Sequence, residues 1–279
     1  MKYLFAFLII LTLATMACGF SVNIPSPPTP GPEVTDKITV TVPKADETRL
    51  KIAFGAGELT LSPGTEDMLV DGTATYNVPN FKPEIDQSEG YIEIKQGEFK
   101  TLNVTDFKNE WDLKLGDTPM DLEINAGAYQ GRYEFGGLAL TGLTIKDGAS
   151  DVEVSFSEAN QTEMSVFRYE TGASNVDLTG LANANFSTLI FNGGAGDYTL
   201  DFSGDLEQDA TARVETGFGN LILVIPEEVD ARVTVEGGAV NISHSSGWGQ
   251  SNRTYTQKGS GPTLTIIVKM GAGNVTITD

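Results

Sequence analysis

Gly148-Ala149-Ser150-Asp151-Val152-Glu153-Val154, Gly172-Ala173-Ser174-Asn175-Val176-Asp177-Leu178, Gly194-Ala195-Gly196-Asp197-Tyr198-Thr199-Leu200 and Gly271-Ala272-Gly273-Asn274-Val275-Thr276-Ile277 are copies of one phrase. It reads glycine, small, glycine or serine, Asp or Asn, apolar, any residue, apolar. Gly217-Phe218-Gly219-Asn220-Leu221-Ile222-Leu223 and Gly238-Ala239-Val240-Asn241-Ile242 are variants, and Gly127-Ala128 opens an earlier copy. From Gly127 to Gly271 the leading glycines are 21, 24, 22, 23, 21 and 33 residues apart. A fixed period in this range is the mark of stacked repeats, and alternation of apolar residues is the mark of strands.

A further strand precedes each glycine, as at 164–167, 189–191, 233–235 and 264–268, and a second turn falls midway at Gly142, Gly180, Gly204 and Pro226. One repeat is therefore strand, glycine corner, strand, second corner. That is one coil, of about 22 residues, of an all-β solenoid. A coil cannot bury its apolar face alone, so Val152, Val176, Tyr198, Leu221 and Val275 are expected to stack in a column. Glycine at the corner is expected to supply positive φ, and the Asp or Asn after it to bond the turn backbone. The long last spacing holds a polar insertion around 243–262, which a loop absorbs and a strand does not.

Outward from the repeats, residues 48–109 carry one early copy, Phe54-Gly55-Ala56-Gly57-Glu58-Leu59-Thr60-Leu61, and then lose the rhythm at Pro63, Pro79 and Pro83. Residues 37–110 read as an atypical N-terminal β module or cap that protects the end of the stack, and 111–279 as the solenoid repeats.

At the N-terminus Lys2 precedes an apolar run, Tyr3 to Leu13, and then Ala14-Thr15-Met16-Ala17-Cys18. This is the layout of a secretory signal over residues 1–17, too short for a span that needs roughly 20 apolar residues. Cys18 is the only cysteine of 279 residues and has no partner for an internal disulfide. The segment resembles a bacterial lipoprotein signal, which implies lipidation of Cys18; Thr15 stands where that pattern usually has Leu. Acyl chains contribute about 0.8 kcal/mol per buried methylene, so two or three would hold the chain on a membrane. Five prolines in residues 25–32 make 18–36 an extended tether between anchor and body. The expected location is exported and lipid-anchored, facing away from the cytoplasm.

The chain carries 18 basic and 38 acidic side chains, a net charge of −20. Such a surface repels nucleic acid and anionic headgroups. The only histidine, His244, lies in the polar insertion beside Ser243 and Ser245, and adjacency in sequence does not make a nucleophile and base. His244, Trp248 and Tyr255 make that insertion a candidate contact loop. No cysteine and histidine cluster exists for zinc or iron, and no GxxxxGK[ST] loop for nucleotide, so no cofactor is expected. The corner Asx residues at 151, 175, 197, 220, 241 and 274 would form a row about 4.8 Å apart, in which Asp151 and Asp197 are weak calcium candidates. A polysaccharide lyase would add a proton-accepting base to such a row, and Arg168, Arg213 and Arg232 are the basic residues nearest in rhythm.

Gly55-Ala56-Gly57-Glu58-Leu59-Thr60-Leu61-Ser62-Pro63-Gly64, with Ala74-Thr75-Tyr76-Asn77 and Lys82-Pro83-Glu84-Ile85, resembles the N-terminal module of the toast-rack family. The later Gly-Ala-Gly copies are similar to the stacked body of that family and of candidate bacterial adhesins. The resemblance implies a right-handed β-solenoid in an envelope-facing protein and supplies no catalytic residues. The expectation is a non-enzymatic, surface-displayed lipoprotein in adhesion or envelope structure, with a cell-wall, glycan or membrane-protein partner. Envelope-stress sensing through a membrane partner and a carbohydrate-active enzyme are the alternatives.

Overall fold

The computed structural model describes residues 30–65, 67–97 and 106–279. Among them, seventeen strands account for the regular structure apart from two short 3-10 turns, Pro79–Phe81 and Leu181–Ala184. The middle of the molecule is a parallel stack. Its layers are β7 (Met120–Glu134), then β8 (Leu140–Lys146) with β9 (Ala149–Ser155), β10 (Met164–Thr179), β11 (Phe186–Asp201) and β12 (Ala210–Val224). The long strands run through the glycine corner without a break, so one strand contributes to both sides of it.

Register follows the repeat. Tyr169 pairs with Ile145 behind it and Phe191 ahead of it, and Phe191 with Val214. Val152, Val176, Tyr198, Leu221 and Val275 form the expected column, each at most 1% exposed. Each buried side chain of this kind stabilises by about 1.5–3 kcal/mol relative to exposure. The aromatic members add oriented contacts, Tyr169 stacked on Phe191 at 5.5 Å and Phe191 edge-on to Tyr198 at 5.0 Å.

The leading glycine of each corner owes its place to the neighbouring layer, and the positive φ expected at the corner falls on the third residue of the phrase in several copies. A Cβ on Gly172 would lie 2.5 Å from the carbonyl oxygen of Gly148, and one on Gly194 2.3 Å from that of Gly172. Gly217 and Gly271 meet the same obstacle at 2.6 and 2.5 Å. Positive φ instead occurs at the third residue of the phrase, Gly57, Gly219 and Gly273, and at the second turns Gly180 and Gly204.

Both ends depart from simple sequential stacking. β17 (Thr263–Thr278) pairs with β12, whereas β13 (Asp230–Glu236) and β14 (Ala239–His244), earlier in the chain, pair with the far edge of β17. The spatial order is therefore β12, β17, then β13 and β14. The insertion is not a bare loop: it holds β15 (Gly249–Ser251) and β16 (Thr254–Gln257), and β16 lies antiparallel on β13.

The N-terminal end mirrors this. β2 (Thr48–Thr65) pairs with β7 on one edge and with β5 (Tyr91–Gln96) and β6 (Asn109–Gly116) on the other. β4 (Pro83–Ser88) covers β5, β3 (Met68–Tyr76) covers β6, and β1 (Val34–Thr41) covers β3, all antiparallel. So β2 is a layer of the stack, and the sheet runs unbroken past residue 110. One hydrophobic core extends from Ile38 to Ile277. Antiparallel covers restrict the free strand edges that a parallel stack would otherwise present.

Candidate functional site

Strand segments after the corner place every second side chain outward. In register these give one row, Thr60, Arg132, Glu153, Asp177, Thr199, Ile222, Thr276 and Ser243. Eight layers span roughly 34 Å at the interstrand spacing. Two depressions lie along this row, of about 540 Å³ toward the N-terminal half and about 700 Å³ toward the C-terminal half. Thr199 lines both, so the two depressions adjoin there and form a two-part groove along the row.

The halves differ in chemistry. Arg132, Glu134, Glu153 and Asp177 line the first. Partial burial pushes the Glu134 carboxyl up, but Ser155 Oγ at 2.5 Å, Ser157 N at 3.1 Å and Gly136 N at 2.6 Å donate to it and hold it below the ordinary carboxylate value. The second half is built on amides. Asn220 Nδ2 donates to Asp197 Oδ1 at 2.7 Å, Asn274 Nδ2 to Asn220 Oδ1 at 2.7 Å, and Asn241 Nδ2 to Asn274 Oδ1 at 3.2 Å. The Asx side chains thus bond from layer to layer, where the sequence suggested bonds to their own turns.

Behind the corner of β9 and β10 lies a polar cluster that sequence reasoning missed. Tyr169 Oη donates to Asp147 Oδ2 at 2.8 Å, Thr171 Oγ1 donates to Asp147 Oδ1, and Tyr133 Oη donates to Tyr129 Oη at 3.0 Å. Burial, then neighbouring negative charge, raises the Tyr169 phenol far above its ordinary value. Tyr198 is pushed up to about 12 by burial and by Asp147 and Asp197, and its buried hydroxyl has no hydrogen-bond partner. Only the tyrosines at interior positions of the repeat hinted at this. Which carboxylate they would meet depends on register.

Cys18, the signal and most of the tether lie outside the described residues. The expected contact loop is corrected: Trp248 and Tyr255 are 7% and 3% exposed and belong to the core. They are large apolar groups at the end of the stack, and turning them inward removes their surface from water while seating the insertion against β13. His244 alone stays at the surface, its Nδ1 2.9 Å from the Ser245 carbonyl and its ring 5.2 Å from that of Tyr255. Asp151 and Asp197 stand two layers apart with Asn175 between them. Among the described residues no group of three or more His, Cys, Asp or Glu side chains is arranged to hold a metal ion. Arg168, Arg213 and Arg232 lie in the segments before the corner and the Asx row lies after it, so they are not brought together. Arg168 Nη1 pairs with Glu170 at 3.3 Å.

A family model, described as the N-terminal domain of toast_rack (DUF2154), matches residues 29–178. No curated protein matches. Among solved structures, a candidate cell adhesion protein from Clostridium sporogenes ATCC 15579 is 19% identical with a TM-score of 0.51, covering 88% of this chain and 99% of its own. A candidate adhesin from Bacteroides fragilis NCTC 9343 is 10% identical with a TM-score of 0.45, covering 88% and 97%. At such identities the first likeness bears on the fold alone.

Proposed function

The chain belongs to the family of the N-terminal domain of toast_rack, whose model matches residues 29–178, and from that premise we propose a non-enzymatic adhesin-like protein displayed on a bacterial envelope. In this reading residues 1–17 are removed on export, Cys18 is lipidated, and the proline-rich tether holds the body off the membrane. The body winds as a right-handed solenoid of coils of about 22 residues.

The observation that carries the reading is the groove across eight layers on the outer face of the stack. A groove crossing strands at a fixed spacing suits an extended polymer better than a compact substrate, and its partner is taken to be a cell-wall or other glycan polymer. The solved structure with the TM-score of 0.51 carries the name of a candidate cell adhesion protein, which supports the adhesive part of the reading.

The test is to express the chain in a lipoprotein-processing bacterium beside a Cys18→Ala variant. Expected are an acylated N-terminus by intact mass, digestion of the body by protease added to whole cells, and attachment of those cells to purified cell-wall polymer. The variant is expected to leave the membrane fraction and to lose cell attachment. A soluble wild-type protein, or a body shielded from external protease, would overturn the proposal.

A further inference from the structure

β12 breaks the rule of its neighbours at two outward positions. In register with Phe218 stand Ala195 and Ala272, and in register with Ile222 stand Thr199 and Thr276. Phe218 is 65% exposed and Ile222 38% exposed. Nothing in the packing asks for either: the layers above and below manage the same corner with a methyl group and the same face with a hydroxyl. Together they leave an aromatic ring and a branched aliphatic chain open to a ligand, where the register neighbours show only small or polar groups.

Asn220 lies between them in sequence and is a rung of the amide ladder. Each amide has two N–H groups and two acceptor lone pairs. Asn220 and Asn274 each use one of each along the ladder. That leaves one donor and one acceptor per rung on exposed side chains whose orientation the ladder already fixes. Such preorganised groups lose little freedom when they bind. Beside them Ser243 Oγ and Thr276 Oγ1 lie 3.2 Å apart. The depression they share, about 700 Å³, has Asp197 as its only ionisable carboxylate or amine. In a chain of net charge −20 this is a nearly neutral field. The acidic surround repels a polyanion, and the depression itself offers a polycation only one carboxylate to pair with.

An apolar ring standing clear of its neighbours, followed by donors and acceptors in equal number, matches one chemical class. The C–H face of a sugar stacks on an aromatic ring, and its hydroxyls both donate and accept. Repetition of the rungs about every 4.8 Å adds that the ligand repeats as well. We infer that the C-terminal half of the groove binds a neutral, extended glycan laid across the strands, hydrogen-bonded to the amides of Asn220 and Asn274 in the depression and stacked on Phe218, which stands at the corner just outside it. This deepens the adhesive reading of the groove and rests on it for its biological setting.

The test is calorimetric titration of the processed full-length protein with chitohexaose, cellohexaose and mannohexaose, with hexagalacturonate as the charged comparator. At least one neutral hexasaccharide is expected to bind and the galacturonate not to. Phe218→Ala is expected to weaken binding at least roughly tenfold, Phe218→Trp to retain it, and Asn274→Ala to weaken it. Lys37→Ala, exposed on the β1 cover at the other end of the molecule and outside the groove, is expected to leave it unchanged. Because Phe218 is exposed, its replacement leaves the core intact. Failure of all three neutral sugars, or undiminished binding by a folded Phe218→Ala variant, overturns the inference. If cells carrying Phe218→Ala attach to cell-wall polymer as well as wild type, the adhesive reading stands and this site falls. If the purified protein binds sugar through Phe218 but its cells do not attach, the site stands and the adhesive reading falls.

Discussion

A methyl group added at position 194 would land 2.3 Å from the Gly172 carbonyl oxygen, closer than carbon and oxygen ever pack, and that oxygen is backbone on both sides fixed by the ladder. Gly194→Ala is therefore expected to destabilise by about 1–3 kcal/mol or more, seen as a lower thermal midpoint. Gly238 opens the outermost copy and has nothing within 4 Å of its Cβ position. Gly238→Ala is expected to be neutral or to stabilise by about 0.4–1 kcal/mol through the unfolded chain. The two substitutions are identical in chemistry, so the contrast isolates the neighbouring layer. The spacing of these glycines was plain in the sequence, but their physical reason was not. A one-dimensional pattern displays a small residue and does not display the carbonyl that excludes a larger one. The buried phenols pose the same problem. Tyr169 and Tyr198 ionise above their unfolded value, so the folded state holds their protons longer. Stability from them is whole below about pH 10 and is lost as pH rises through the folded values. Denaturant titrations from pH 9 to pH 12 should show that loss. Tyr198→Phe should reduce it and, by removing a buried hydroxyl without a partner, leave stability at neutral pH equal or higher.

Two elements test how the layers are held. In the amide ladder, Asn220→Asp would set a carboxylate against Asp197 where an amide now donates at 2.7 Å. The expected result is a lower thermal midpoint at neutral pH that recovers in acid or in high salt, since like charges in adjacent strands repel. An unchanged midpoint would mean the ladder is ornamental to stability. In the insertion, Trp248 and Tyr255 are buried, so Trp248→Ala or Tyr255→Ala should cost about 3–5 kcal/mol. Exposed contact residues would cost almost nothing. Sequence reasoning recognised the insertion by its polarity and length, and polarity hid the two aromatics that turn inward. The Asx row was legible because its members recur at the repeat, whereas the groove was not. It needs the outward residues of β2, β7, β9 to β12, β17 and β14 side by side, and Phe218 stands out only once alanines are seen on either side of it.

At the level of the whole molecule, 38 acidic against 18 basic side chains in one chain are a source of self-repulsion. Added monovalent salt at up to a few hundred millimolar is expected to raise the thermal midpoint by screening it. The all-β class and the repeat were legible because short-range alternation and glycine period are local properties. The inverted order at both ends was not, since copies of one phrase carry no label for which copy pairs with which. That inversion also imposes a schedule. β13 and β14 leave the synthesis machinery before β17, yet the strand they pair with in the stack is β17 itself. As the chain grows, β12 has an open edge and the segment after it must overshoot by one layer and wait. The slot is filled only by the last strand, so the C-terminal third cannot close progressively behind the emerging chain. Arrested chains ending near residue 260 should therefore show β2 to β12 protected from hydrogen exchange and residues 230–257 unprotected, and release of the final strand should lock the whole end in a single step.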